Sequence, residues 1–220
     1  MKNAELKRRY IQAAFEIIRV EGRQGVSIRR LAKDLNCNLA SLYRCFQDLD
    51  ELFLYTGLKY VEDYLHDLRQ LMDEPLNNLQ LFLEVWKCFI KHSFDNPKMY
   101  NSLFFGKYSQ RLDNAVEEYF VRLFPEELVR FDAETRETLM KGSFATGDAT
   151  MSRILVKCAG DGWISESDRL YIDKLFLQIY KGYLKDFVDG RISTSNRQPM
   201  EAELNAFFAG MIIKYQIKES

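Results

Sequence analysis

Apolar residues recur along most of the chain at three- and four-residue steps, interrupted by residues that stop a helix, and this pattern predicts an all-helical protein. Ile11, Ala14, Phe15 and Ile18 line one face of a first helix running from about Glu5 to Glu21, which Gly22 ends. Ser27 then offers a hydroxyl cap to a second helix, in which Ile28, Leu31, Ala32 and Leu35 make one apolar stripe. The other face of that helix carries Arg29, Arg30 and Lys33. In the turn Asn36-Cys37-Asn38, Asn36 tolerates the left-handed backbone of a helix end, and Asn38 can cap a helix from Leu39 to Phe46. Leu42 and Phe46 point inward there, leaving Ala40, Ser41, Tyr43 and Arg44 outward. Asp48 and Glu51 have the spacing of a capping box for a long fourth helix that runs unbroken to Pro75.

Beyond Pro75 the pattern stays helical. Pro75 is expected to open a helix bearing Leu79, Phe82, Leu83, Trp86, Phe89 and Ile90. Pro97 opens another with Met99, Tyr100, Leu103, Phe104, Phe105 and Tyr108, followed by a short one with Val116, Tyr119, Phe120 and Leu123. A long helix is readable from Asp132 to about Ala159, and small residues from Gly142 through Gly147 fill its centre, as close approach by a neighbouring helix would require. The helix from Ser165 to Asp189 is apolar on nearly every side, and a last one after Pro199 places Leu204, Phe207, Phe208, Met211 and Ile212 on its buried side. A helix apolar all round needs a second covering surface, so the segments 132–159 and 165–189 are expected to form a homodimer contact.

Two short helices around a tight turn, the second with a small, hydroxylated or cationic outer face, form a helix-turn-helix suited to a major groove. The stretch from Ala14 to Leu52 resembles the tetracycline-repressor (TetR) family of bacterial regulators. Ala14-Phe15, Gly22, Ser27-Ile28-Arg29, Leu31-Ala32, Leu42-Tyr43-Arg44, Phe46 and Leu52 fall on that family's positions without gaps. Asn36 stands in place of a turn glycine, Ala40 of a common glycine, Cys45 of a Tyr or His, and Leu49 of a Lys, and the last two changes remove phosphate contacts of the family. The resemblance implies an all-α fold: a helix-turn-helix DNA-binding headpiece over residues 1–50 and a ligand-binding and dimerisation bundle over 51–220. It also implies a homodimer on a palindromic double-stranded DNA operator, most readily a repressor released by an effector. Ser27, Arg29, Asn38, Leu39, Ala40, Ser41, Tyr43 and Arg44 match its DNA-touching positions, with Ser27, Asn38 and Tyr43 as backbone anchors. Leu39 either meets a thymine methyl or packs beneath its helix.

Charge sharpens this picture. The chain's net charge is -1, yet residues 1–47 hold ten bases against four acids, a net +6 that leaves -7 for the remainder, so one end attracts phosphate and the rest repels it. A composition 47% hydrophobic and 14% aromatic supports a real core. The aromatic density after Pro75 marks Trp86, Phe89, Tyr100, Phe104, Tyr108, Tyr119 and Phe144 as a candidate site for a small apolar or amphipathic effector, although such stripes also build plain core. Cys37, Cys45, Cys88 and Cys158 form no CxxC pair, and neither a signal peptide nor a membrane span is evident, so a cytoplasmic protein is expected. His66 and His92 are the only histidines and show no Cys or carboxylate at ligand spacing, so no metal site and no cofactor are expected. An enzyme is disfavoured by the absence of a triad-like histidine context or a glycine-rich phosphate loop. A thiol redox sensor at Cys37 or Cys45, flanked by cations, is the alternative regulator.

Overall fold

In the computed structural model, residues 2–131, 133, 136–137 and 148–217 are described. Among them every regular element is helical. Eleven α-helices follow in order: α1 (Lys2–Glu21), α2 (Ile28–Asp34), α3 (Ala40–Tyr43), α4 (Leu49–Met72), α5 (Asn78–Asp95), α6 (Pro97–Phe104), α7 (Leu112–Glu117), α8 (Pro125–Leu128), α9 (Asp148–Gly160), α10 (Glu166–Val188) and α11 (Arg197–Tyr215). Between α7 and α8, Glu118–Leu123 winds as a π-helix. The residues from Gly142 to Gly147, with Phe144 among them, lie outside the described residues, so of the helix expected over 132–159 the described parts are residues 133 and 136–137, which are helical, and α9.

The stop and start signals act as their chemistry dictates. Gly22 sits at φ 76°, a left-handed conformation that ends α1, and its N–H donates to the Ile18 carbonyl. Ser27 Oγ accepts the Arg30 N–H at the start of α2, and Asn36 takes up φ 51° after it, the one non-glycine residue described with positive φ. Pro97 opens α6, but Pro75 opens nothing: Asn77 caps α5, exchanging side-chain and backbone hydrogen bonds with Gln80 in a complete capping box. A cap needs a side-chain acceptor at a fixed offset, which Asn77 supplies and Pro75 cannot.

Contacts gather the chain into two compact units, Met1–Glu62 with Lys98–Ala145, and Asp63–Pro97 with Thr146–Ser220. The division passes through α4 and not near residue 50. In the first unit, Tyr10, Ile11, Ala14, Leu31, Ala32, Leu42, Phe46, Leu52 and Tyr55 are buried together. Phe46 stands edge-on to Tyr10 at 6.4 Å and to Tyr55 at 5.7 Å, so the helix-turn-helix rests on the first turns of α4. In the second unit α5 carries Trp86, whose ring lies 5.2 Å from Phe208 of α11 and 5.8 Å from both Phe176 and Tyr180 of α10. Buried residues of α10 form a single stripe, Ile172, Phe176, Tyr180, Leu184 and Phe187, while Leu170 and Tyr171 are exposed. Phe207, expected on the buried side of α11, is 49% exposed, and the buried line is Leu204, Phe208 and Ile212.

Candidate nucleic-acid interface

The headpiece sorts its cations into two sets. One set is consumed by the fold. Arg30 grips Glu21 with two nitrogens at 2.5 and 2.6 Å and also reaches the Gly25 carbonyl at 3.2 Å. Lys7 is bound to Glu118, Arg8 to Glu126, Arg19 to Glu16, and Arg23 to Asp50 at 2.7 Å and Ser102 Oγ at 2.9 Å. Arg9 donates to the Leu35 carbonyl at the end of α2. The other set is Arg29 and Lys33 on α2 and Arg44 just after α3: exposed, with no ion pair or side-chain hydrogen bond recorded among the described residues. Arg30, expected to share the outward face of α2 with Arg29 and Lys33, therefore serves the fold.

The helix α3 is shorter than expected, Ala40–Tyr43, with Leu39 and Arg44 continuing its αR backbone on either side. Leu39 is 48% exposed and Tyr43 57%, so Leu39 does not pack beneath the helix. Asn38, Ala40 and Arg44 are exposed with them. Ser41 contradicts the outward placement. It is 2% exposed, its Oγ donating to the Asn38 carbonyl at 2.6 Å and sharing a hydrogen bond with the Tyr10 hydroxyl. A buried hydroxyl needs such partners, and Tyr10 supplies one from 31 residues away, which no local pattern reveals. Asn38 starts α3 with its carbonyl, accepting the Ser41 N–H at 3.0 Å, and no side-chain cap is made there. Ser27 uses one lone pair for the α2 cap and keeps its O–H as a donor on an exposed residue.

The N-terminus of α4 is braced. Asp48 accepts the Glu51 N–H at 3.0 Å, while the Glu51 carboxylate takes the Gln47 N–H at 2.5 Å, one residue earlier than a standard capping box. Lys107 and Tyr108 both donate to Asp48, at 2.6 and 3.0 Å. Burial alone would raise the Asp48 carboxyl, but the bonds from Lys107, the Glu51 N–H and Tyr108 outweigh it and hold the group below the usual range. Leu49 follows as a half-buried first residue of α4.

The aromatic residues singled out for an effector are divided between the two units. Trp86 and Phe89 lie in the second unit, Tyr100, Phe104, Tyr108 and Tyr119 in the first, and Phe144 outside the described residues. Three of the tyrosine hydroxyls are committed: Tyr100 to the Tyr60 carbonyl, Tyr108 to Asp48 and Gln47, and Tyr119 to Glu62 at 2.6 Å. Tyr100, Tyr108 and Tyr119 are buried. A groove of about 420 Å³ opens in the second unit, lined mainly by charged and polar residues, Asp67, Gln70, Glu74, Glu84, Cys88 and Lys91 among them. Beside it His92 Nε2 lies 2.8 Å from Asp67 Oδ2, and the Cys88 thiol is part of the same cluster. Cys88 and His92 are four residues apart on α5, a spacing that sets two ligands on one helix face and corrects the reading that no cysteine stands at ligand spacing from a histidine.

The two thiols of the headpiece, Cys37 and Cys45, are half-buried. Burial pushes the Cys45 thiol up and outweighs the opposing pull of Lys7 and Arg44. Its S–H donates to Asn3 Oδ1, and that of Cys37 to the Leu35 carbonyl. Burial raises Cys88 to about 11 and Cys158 to about 12. Among the described residues no helix is long and apolar enough to cross a membrane.

No protein-family model matches the chain. A helix-turn-helix-type transcriptional regulator of Staphylococcus aureus strain USA300 is 23% identical over 95 residues, 43% of this chain and 51% of that protein. The regulator of the bovine strain RF122 is 21% identical over 127 residues, 58% of this chain and 65% of that protein. The chain thus spans about half the length of the first of these relatives. Solved structures match over nearly the whole chain. A TetR-family regulatory protein from Rhodococcus RHA1 has a TM-score of 0.53 at 15% identity, covering 94% of this chain and 96% of its own. A TetR-family regulator from Shewanella sp. PV-4 has a TM-score of 0.51 at 13% identity, covering 97% and 99%. The chain has the fold of the TetR-family regulators, as its motif from Ala14 to Leu52 implies.

Proposed function

We propose that the chain is a DNA-binding transcriptional regulator that acts as a homodimer on a palindromic operator and is released by an effector held in its second unit. The observation that carries this reading is the division of cations in the headpiece. Five of its bases are bound to carboxylates inside the molecule, while Arg29, Lys33 and Arg44 are left exposed around a half-exposed Leu39 and Tyr43. Charges kept free of internal partners on the two helices of a helix-turn-helix are available to phosphates and base edges. Arg29 and Arg44 are assigned to reading and anchoring, Leu39 and Ala40 to apolar contact with a base, and Ser27, Asn38 and Tyr43 to the backbone. Ser41 serves α3 from beneath.

Dimerisation is assigned here to α10 and α11, while the small-residue centre of the expected contact at 132–159 lies outside the described residues. Leu170 and Tyr171 on α10 and Phe207 and Ile213 on α11 are exposed apolar residues, and a Cβ added at Gly182 or Gly210 would meet nothing within 4 Å. Apolar side chains beside open glycines suit a helix from a second copy. Selection of bound sites from random duplex DNA tests the whole reading. The expected product is an inverted repeat, and Arg44→Ala should lower affinity about 5- to 150-fold, the effect of losing about 1 to 3 kcal/mol. Failure to enrich any site with the folded dimer would overturn it.

A further inference from the structure

We infer that Asp67, Cys88 and His92 form a binding site for a divalent transition-metal ion of the zinc type, open to the polar groove beside it. One carboxylate oxygen, one sulfur and one imidazole nitrogen lie within 4.8 Å of one another, contributed by two packed helices, with Cys88 and His92 four residues apart on α5. A tetrahedral zinc ion, with bonds of about 2.0 Å to nitrogen or oxygen and about 2.3 Å to sulfur, spaces its ligands by roughly 3.5 Å, so small side-chain rotations close this set around an ion. The donor types select the metal. Calcium and magnesium use oxygen ligands and gain nothing from a thiol and an imidazole, whereas zinc and its neighbours take sulfur, nitrogen and oxygen together.

The Asp67 carboxylate faces His92 at 2.8 Å and Lys91 at 3.7 Å, so an ion would replace the hydrogen bond between Asp67 and His92 while Lys91 stays at the rim. Glu84 and Glu201 line the same groove, and the buried Glu201 Oε1 is ion-paired with Arg197 at 3.1 Å. With three protein ligands the fourth position of the ion is left to water from the groove. Coordination turns the Cys88 thiol into a thiolate and sends its proton to solvent, with no change of oxidation state.

The functional consequence rests on the regulator reading above: the ion is the effector. Asp67 belongs to α4, the helix that begins at the end of the headpiece, and capture of an ion fastens its C-terminal part to α5. The probe is cobalt(II), added to the full-length protein after chelator treatment and followed by absorption. One equivalent per chain is expected to give a thiolate-to-cobalt charge-transfer band and intense tetrahedral visible bands, both bleached by zinc. Cys88→Ser should abolish the charge-transfer band, and His92→Ala should weaken binding at least tenfold, since losing even a residue that only hydrogen-bonds a metal ligand costs about 10- to 100-fold. Absence of a saturable band in the wild type, or an unchanged band in Cys88→Ser with the fold intact by circular dichroism, would overturn the site. Zinc should then shift affinity for the selected DNA by at least fivefold, and DNA should shift zinc affinity equally. A bound ion without that linkage would overturn the effector role and leave the site standing. Failure to bind any DNA in either state would strike the regulator reading instead, with the cobalt spectrum unaffected.

Discussion

Buried polar groups in the unit of Met1–Glu62 and Lys98–Ala145 meet through directional bonds, while the unit of Asp63–Pro97 and Thr146–Ser220 is filled with rings. In the first, Lys7 lies 2.9 Å from both Glu118 oxygens, with the Tyr55 hydroxyl on the same carboxylate and the Tyr55 ring 3.8 Å beneath the ammonium. Arg23 joins Asp50 to Ser102, and Tyr119 joins Glu62, whose carboxyl is raised by burial. In the second, Trp86, Phe89, Phe94, Phe176, Tyr180 and Phe208 pack ring on ring, and the Trp86 indole N–H has no hydrogen-bond acceptor. A hydrogen-bonded network has one good geometry, so it fixes how α1 and α4 carry α2 and α3. Aromatic contact is strong but tolerant of small displacement. On the function proposed above, the first interior suits a unit that holds α2 and α3 in register and the second a unit that responds to a ligand.

The largest effect should come from the ring cluster. Phe176 is fully buried, stacked 3.9 Å from Phe208 and tilted against Phe82 and Trp86. Phe176→Ala is expected to cost about 3 to 5 kcal/mol in chemical denaturation, from lost transfer energy plus the cavity left behind. A cost below about 1.5 kcal/mol would mean that the second unit collapses readily around the gap, and the contrast between the units would fail at its strongest point.

Next in size is the buried ammonium. Lys7→Met strands Glu118, and a fully buried partner left alone costs about 3 to 5 kcal/mol; because the Glu118 side chain is 33% exposed, about 2 kcal/mol is expected. Adding Glu118→Gln to Lys7→Met should recover much of the loss. If the double variant is as unstable as the single, Lys7 acts through packing against Phe46 and Tyr55 and not through its charge.

What was legible in the sequence follows the range of the interaction. Ser27, Gly22, Asn36 and Pro97 act on backbone within a few residues, and each does what its position predicts. The headpiece and the all-α class follow from such signals together with apolar spacing. Ser41 was misread because its partner Tyr10 is on another helix, and Arg30 because Glu21 is. Phe207 shares the apolar spacing of α11, but a helix presents more apolar residues than one neighbour covers, and spacing does not say which remain exposed. Two of the three residues of the Asp67, Cys88 and His92 cluster stand at a four-residue step on α5; Asp67 enters from α4 through tertiary packing.

The exposed apolar face of the second unit gives a third test. Gly210 lies on α11 with no atom within 4 Å of an added Cβ, so in an isolated chain Gly210→Leu should gain a few tenths to about 1 kcal/mol of helix stability. Where a second copy packs on that face, the same side chain overfills the contact, and dimerisation should weaken by about 1 to 2 kcal/mol in sedimentation. A stabilised chain with unchanged self-association would move the interface off α11.

The smallest expected effect concerns the polar wiring where it meets the start of α4. Asp48 combines a cap bond to the Glu51 N–H with a charged bond from Lys107, and its carboxyl is held below the usual range. Asp48→Ala removes both contributions and should cost about 1 kcal/mol, whereas Asp48→Asn keeps an oxygen for the cap and should cost a few tenths, since Lys107 is well exposed and solvent screens the pair. The sign with pH follows from the lowered value. A carboxyl whose folded pKa lies below its unfolded pKa of about 3.9 adds stability above that pH, and the gain is lost as pH falls through the folded value. The gap between wild type and Asp48→Asn should therefore be full at pH 6 and close as pH drops below about 4, while the gap to Asp48→Ala shrinks but persists, because a protonated carboxyl still accepts the Glu51 N–H. Thermal melts of the three proteins across that range separate charge from geometry. A gap to Asp48→Asn that stays constant with pH would show that Lys107 contributes nothing there, and that the start of α4 is held by the cap alone.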